Sequence, residues 1–216
     1  MNRLIMDTTG RFLQLAWNID GEDGWFRDES PLRHSVTLMP RLAEILGERR
    51  TRALDCIGAV TGPGSFTGIR IGVSTVKAFA YANPELKVFA PNALRVKAAD
   101  VEAKGGDVVV AAADGGNKIY YVAVYSGEHE LLPPSALTLP RLEAFLDTID
   151  EPSILTGDID GAASPANMQR AVFASDRTGL FLIMNRAVAA GDFIDYRALE
   201  PLYVQIPQAE KDLLKK

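Results

Sequence analysis

Apolar residues recur along this chain in short blocks, and the same succession of blocks occurs twice. Leu4 to Met6 is a compact apolar run that stops on Asp7-Thr8-Thr9-Gly10. Phe12, Leu13, Leu15 and Trp17 then alternate imperfectly, as a strand does when one face meets a core and the other meets water. Leu38, Leu42, Ile45 and Leu46 fall on one helical face and predict an amphipathic helix through this stretch. An apolar strand follows (Cys56 to Val60), then a helix (Thr67 to Ala82) and a short strand (Val88 to Ala90). In the second half the stretch from Ala111 reads AAADGGNKIYYVAVY, again strand, acidic turn and strand. Pro40 to Leu46 reads PRLAEIL, and Pro140 to Leu146 answers it with PRLEAFL. A strand at Ile154 to Thr156, a helix at Arg177 to Ala190 and a strand at Leu202 to Val204 complete the echo.

This repetition predicts an α/β fold of two tandem halves, each a mixed sheet flanked by helices. The polar stretch Ala98 to Gly106 is the natural seam, giving an N-terminal domain over 1–105 and a shorter C-terminal one over 106–216. The charged tail from Ala209 is expected to fray or to add a last helical turn.

Composition narrows the chemistry. The chain has 216 residues with a formal net charge of −5, which disfavours a general nucleic-acid-binding surface but leaves room for a local basic patch. Its single cysteine, Cys56, excludes an internal disulfide framework and sits in an apolar run, where a buried strand residue is the better reading than a nucleophile. The start, MNRLIMDTTG, does not read as a signal peptide, and no segment approaches the ~18 apolar residues of a membrane helix. A cytoplasmic protein with no membrane contact is expected.

The stretch from Val60 to Gly72 reads VTGPGSFTGIRIG. Its glycines match neither a phosphate loop ending in Gly-Lys-Ser/Thr nor the dinucleotide Gly-x-Gly-x-x-Gly. What remains is a Pro-Gly turn, with Ser65 or Thr67 placed to cap the following helix. Gly68 and Gly72 share a helix face, with Ile69, Val73 and Val76 beside it, so another backbone can come close. Packing against the chain's own sheet is the plain use of such a ridge. Ile71 and Phe79 lie away from it and point to a second contact.

Asp7-Thr8-Thr9-Gly10 and Asp114-Gly115-Gly116-Asn117 hold equivalent places in the two halves. Together they resemble the two phosphate-facing hairpins of the actin, sugar-kinase and heat-shock-ATPase superfamily, although Asp-Gly alone is good hairpin chemistry. Asp7, Thr8, Asp114 and Gly115 are therefore the candidate phosphate-facing residues, read as vestigial. There are two histidines, His34 and His129, and no pair at helical i, i+4 spacing, so a two-histidine metal helix is excluded. Ser35 is placed to cap the helix that His34 precedes, and His129 falls at a hairpin tip. No Gly-x-Ser-x-Gly elbow supports a serine hydrolase. No catalytic residue and no metal ligand are assigned.

Ile5-Met6-Asp7-Thr8-Thr9, Arg33-His34-Ser35 before an amphipathic helix, the Gly62–Gly72 block and Glu200-Pro201-Leu202-Tyr203-Val204 together resemble the bacterial TsaB (YeaZ) family over nearly the whole chain. That resemblance implies two actin-like halves (the ribonuclease H-like, or ASKHA, architecture). It implies a part in making threonylcarbamoyladenosine on tRNA, as a non-catalytic partner and activator of the related transferase TsaD, with the ATPase TsaE joining them. A homodimer when alone, tRNA contacted through the complex, and no cofactor except ATP or ADP at a partner interface are further implications. The partner-facing residues it implies are His34, Leu38, Leu42, Gly68, Ile69, Gly72, Val73 and Val76, on the two N-terminal helices. The alternative is a nucleotide-dependent phosphotransferase or ATPase using Asp7 and Asp114; a peptidase is a third and weaker reading.

Overall fold

The computed structural model describes residues 1–29, 34–102, 108–158, 165–171 and 177–205. These fall into two compact units, each built on a five-stranded mixed sheet.

The first sheet contains β1 (Arg3–Asp7), β2 (Leu13–Ile19), β3 (Glu22–Asp28), β4 (Cys56–Ala59) and β5 (Lys87–Phe89), in the order β3-β2-β1-β4-β5. β1 runs antiparallel to β2 and parallel to β4. The imperfect alternation resolves once Phe12 is left outside the strand. Leu13 and Leu15 are then buried on one face, with Trp17 and Ile19 packed against the same cluster. Trp17 lies over Gly24 of the neighbouring strand, where any side chain would strike the indole. Two helices cover the sheet: α1 (His34–Leu46) and α2 (Phe66–Ala82). Leu38, Leu42 and Leu46 of α1 and Ile69, Val73, Val76 and Ala80 of α2 join Leu4, Met6 and Ile57 in one buried core. His34 is already the first residue of α1, so Ser35 lies inside the helix rather than capping it.

The second sheet holds β6 (Val108–Asp114), β7 (Ile119–Ser126), β8 (His129–Thr138), β9 (Ser153–Asp158) and β10 (Met168–Arg170), in the order β10-β9-β6-β7-β8. β6, β7, β8, β9 and β10 take the places of β1, β2, β3, β4 and β5, so the sheet repeat is real. Alternation is strict here. Val110 and Ala112 face one cluster with Val122, Val124 and α4 (Leu139–Leu146), while Val109 and Ala111 face another with Tyr121, Ala123 and Tyr125. His129 is the first residue of β8, paired with Ser126 beside the hairpin turn.

Two readings need correcting. Helix α5 (Arg177–Ala190) follows β10, so in chain order it answers α3 (Ala93–Glu102), which follows β5, and not α2. No helix lies between β9 and β10 among the described residues. Leu202–Val204 is not a strand; Leu202 instead donates its N–H to the Thr61 carbonyl at 2.8 Å. The fifth place in the second sheet is taken by Met168–Arg170, a segment too short and polar for its pattern to stand out. The first unit comprises Met1–Ala93 and Leu180–Leu202, the second Leu94–Gly179 and the described residues from Tyr203. The chain therefore passes between units inside α3 and returns inside α5. Ala98 to Glu102 continue α3, while the proposed seam at 105/106, Arg33 and the tail from Ala209 lie outside the described residues.

Candidate functional site

Asp7 closes β1 and is buried. Its Oδ1 accepts from the Thr9 N–H and from the Thr9 hydroxyl, both at 2.7 Å. Asp114 closes β6 in the same way, its Oδ1 accepting from the Gly116 N–H at 2.8 Å, while Gly115 donates to the Ile119 carbonyl at 2.8 Å. In both turns the aspartate ties down its own loop by bonding two residues ahead, which is ordinary Asx-turn chemistry. Gly115 fits beneath the Tyr121 ring, whose hydroxyl pKa is raised by burial.

The glycine block packs directly onto the first acidic turn. Ser65 has an extended backbone and caps α2, its Oγ accepting from the Gly68 N–H at 3.2 Å, while its own N–H reaches the Thr9 carbonyl at 2.7 Å. The Thr8 hydroxyl donates to the Gly68 carbonyl at 2.6 Å. A Cβ on Gly68 would sit 1.9 Å from the Thr8 carbonyl oxygen, and one on Gly72 2.6 Å from the Thr8 hydroxyl. The ridge thus lets α2 come close to the chain's own β1 turn. Gly64 takes a φ of +158° with the Thr9 carbonyl 2.4 Å from its missing Cβ, so two constraints act on that position.

Seven of the eight partner-facing residues inferred from the family resemblance therefore lie inside this unit. Leu38, Leu42, Ile69, Val73 and Val76 are core, and Gly68 and Gly72 are buried against Thr8. The physical reason is plain: an amphipathic helix on a sheet spends its most apolar stripe on that sheet. His34 is partly exposed, its Nε2 3.3 Å from the Arg11 carbonyl oxygen.

A groove opens between the same two helices, reaching from their exposed side down to the edge of the core. Met39, Leu42, Ala43 and Leu46 of α1, Phe79 of α2, and Gly47 and Glu48 just beyond α1 line an apolar groove of about 430 Å³. Met39 is 52% exposed, Val36 57% and Tyr81 77%. Val36, Met39 and Ala43 follow one another at helical spacing, a second stripe beside the Leu38–Leu42 stripe. That signal was present in the sequence and was overshadowed by the stronger one. Phe79 and Ile71, read as lying off the ridge, are indeed only partly buried.

Among the described residues no group of three or more histidine, cysteine, aspartate or glutamate side chains is placed to hold a metal ion. Cys56 is buried, and that burial pushes its thiol up to about 11. At neutral pH it is a small apolar core group and not a thiolate nucleophile.

Paired sheets of one strand order, each opening on a strand–acidic turn–strand hairpin, define a two-half actin-like protein of the α/β class. The model of the TsaD family, tRNA N6-adenosine threonylcarbamoyltransferase, matches residues 29–143, and the chain belongs to that family. Its fold is that of YeaZ from Pseudomonas aeruginosa, with a TM-score of 0.73 at 22% identity over 94% of this chain and 99% of that one. A protein described as uncharacterized, with similarity to peptidase YEAZ from Pseudomonas aeruginosa, superimposes with a TM-score of 0.76 at 23% identity over the same shares. The expected family relation and fold are thus borne out, and with them a role in the threonylcarbamoyladenosine modification of tRNA. Among the described residues no helix is long and apolar enough to cross a membrane.

Proposed function

We propose that this chain is a TsaB-type subunit: a non-catalytic partner that activates a TsaD-type transferase. The observation that carries the reading is the apolar groove lined by Met39, Leu42, Ala43 and Leu46 of α1 and Phe79 of α2, with Met39 half exposed. Monomeric proteins seldom leave a contiguous apolar surface open unless something binds it. The groove lies on the helix pair that the family resemblance singles out and shares Leu42 with the residues it implies. In this reading the same groove pairs two copies when the chain is alone, a TsaE-type ATPase joins the assembled complex, tRNA arrives through that complex, and all of it is cytoplasmic. Nucleotide, if it binds, lodges at the interface with the partner and not in this chain alone.

The aspartates support this division of labour. Each is engaged by its own turn, leaving the acidic hairpins well suited to holding the fold. The test is to mix the purified chain with its cognate transferase and follow complex size and tRNA modification. Met39→Glu is expected to abolish complex formation and transferase stimulation while leaving the fold intact, since Met39 is exposed. A Met39→Glu chain that still assembles and stimulates fully would overturn the assignment. Calorimetry with Mg-ATP tests the phosphotransferase alternative: turnover by the isolated chain would replace the partner reading with an enzymatic one.

A further inference from the structure

Arg11, Phe12 and Arg27 meet beside the first acidic turn, at the end of β3. The Arg27 guanidinium carbon stands 4.0 Å from the Phe12 ring centroid and that of Arg11 5.3 Å from it. Each cation gains from the ring's negative face, but two like charges gathered about one phenyl repel each other. Among the described residues their neutralisation is slight. Arg27 Nε faces the Glu29 carboxylate at 3.6 Å, beyond hydrogen-bond reach, and the Glu29 side chain is 73% exposed. Arg27 Nε is itself buried and without a hydrogen-bond partner, an expensive state for a charged donor. Arg11 is exposed and makes no ion pair among the described residues.

Two guanidinium groups gathered about one ring, Arg11 exposed and Arg27 with 22% of its side chain still exposed, fit an oxyanion supplied from outside, and a phosphate is the anion that arginine forks match best. In a chain of net charge −5 such a spot is where a polyanion can settle locally. Arg41 on α1, by contrast, is already committed: it stacks on Phe26 and pairs with Glu44 at 2.6 Å. From this geometry we infer that Arg11 and Arg27 hold a phosphodiester of the tRNA being modified. The inference rests on the proposed role in the transferase complex, and it assigns part of the tRNA contact to this subunit.

The test uses the chain assembled with its cognate transferase and measures tRNA binding as salt is raised from about 50 to about 300 mM. Arg11→Ala with Arg27→Ala is expected to weaken binding roughly tenfold at the lower salt and to lower the slope of log affinity against log salt by about 1 to 2. Arg11→Ala alone, at an exposed position that cannot unfold the sheet, should lower the slope by about 1. Arg197→Ala, an exposed arginine elsewhere in the unit, should leave the slope unchanged. An unaltered slope in both Arg11 variants overturns the inference. So does a result in which inorganic tripolyphosphate binding depends on the two arginines while tRNA binding does not, since the phosphate would then be a nucleotide's. Complex size reports separately on the partner reading; if the parent chains do not assemble, the same salt slope measured on the chain alone decides the arginine contact.

Discussion

Thr8 shows how much one side chain can fix. Its hydroxyl bonds the Gly68 carbonyl and its own carbonyl presses against the same residue, so the β1 turn and the start of α2 are held as one piece. Gly68→Ala would drive a methyl group into backbone rather than into a flexible side chain. We predict a loss of about 1–3 kcal/mol, read as a lower midpoint in urea denaturation with an unchanged slope. Cys56 gives a pH signature. Its thiol is raised from 9.0 to about 11 by burial, so the folded state holds the proton more tightly than the unfolded chain. That contribution to stability is fully present below pH 9.0 and is lost as pH rises towards 11. Thermal melts across this range should show a decline that Cys56→Ala lessens, the remainder including the buried Tyr121 hydroxyl, which is raised in the same direction. At this scale the sequence was legible where chemistry is local. A cap at Ser65 or Thr67 and Asp-Gly as a turn need only their neighbours, whereas the structure was needed to choose Ser65, and the partner of Gly68 lies 60 residues away and could not be read.

Helices α1 and α2 carry two apolar stripes each, and only one stripe can face the sheet. The sequence marked the stronger stripe correctly as apolar and helical, but the family-based assignment gave it to a partner. Burial of Leu38, Leu42, Ile69, Val73 and Val76 leaves Met39, Ala43 and Phe79 as the outward face. The two roles separate experimentally. Leu42→Ala is expected to cost about 2–5 kcal/mol of stability, because Leu42 is 1% exposed in a packed core. Met39→Glu should cost little stability and instead remove complex formation. Ser65→Ala tests the start of α2: loss of the bond to the Gly68 N–H should cost about 0.5–2 kcal/mol, measured in the same denaturation series. Helix existence was readable because periodicity is a property of consecutive residues. Which face meets which neighbour was not, because both stripes are apolar and only tertiary packing chooses between them.

Across the whole molecule, the first unit is discontinuous in sequence. Leu199 is fully buried in its core, Ile194 bridges Val88 in antiparallel fashion, and Leu202 bonds Thr61. A fragment of residues 1–105 therefore lacks part of its own core, and circular dichroism should show no cooperative melt. The same fragment joined by a flexible linker to residues 180–202 is expected to recover one. A sharp transition in the short fragment would show that the C-terminal segment adds nothing to the first unit. The repeat of sheet and acidic turn was visible from sequence because both halves reuse one local grammar. That α5 answers α3 was hidden, because β10, the strand before α5, is only Met168–Arg170 and too short and polar to be read from its pattern.

The sequence by itself determined the two-fold repeat, most of the strands and helices, the acidic turns and the family, since each is written in spacing and residue type over short stretches. Only the tertiary structure decided that the glycine ridge receives Thr8, that the most apolar helix faces are spent inward, and that Arg11 and Arg27 converge on one ring. Those outcomes depend on which distant surfaces share the limited space beside a sheet, and that competition is settled by packing and not by any single segment.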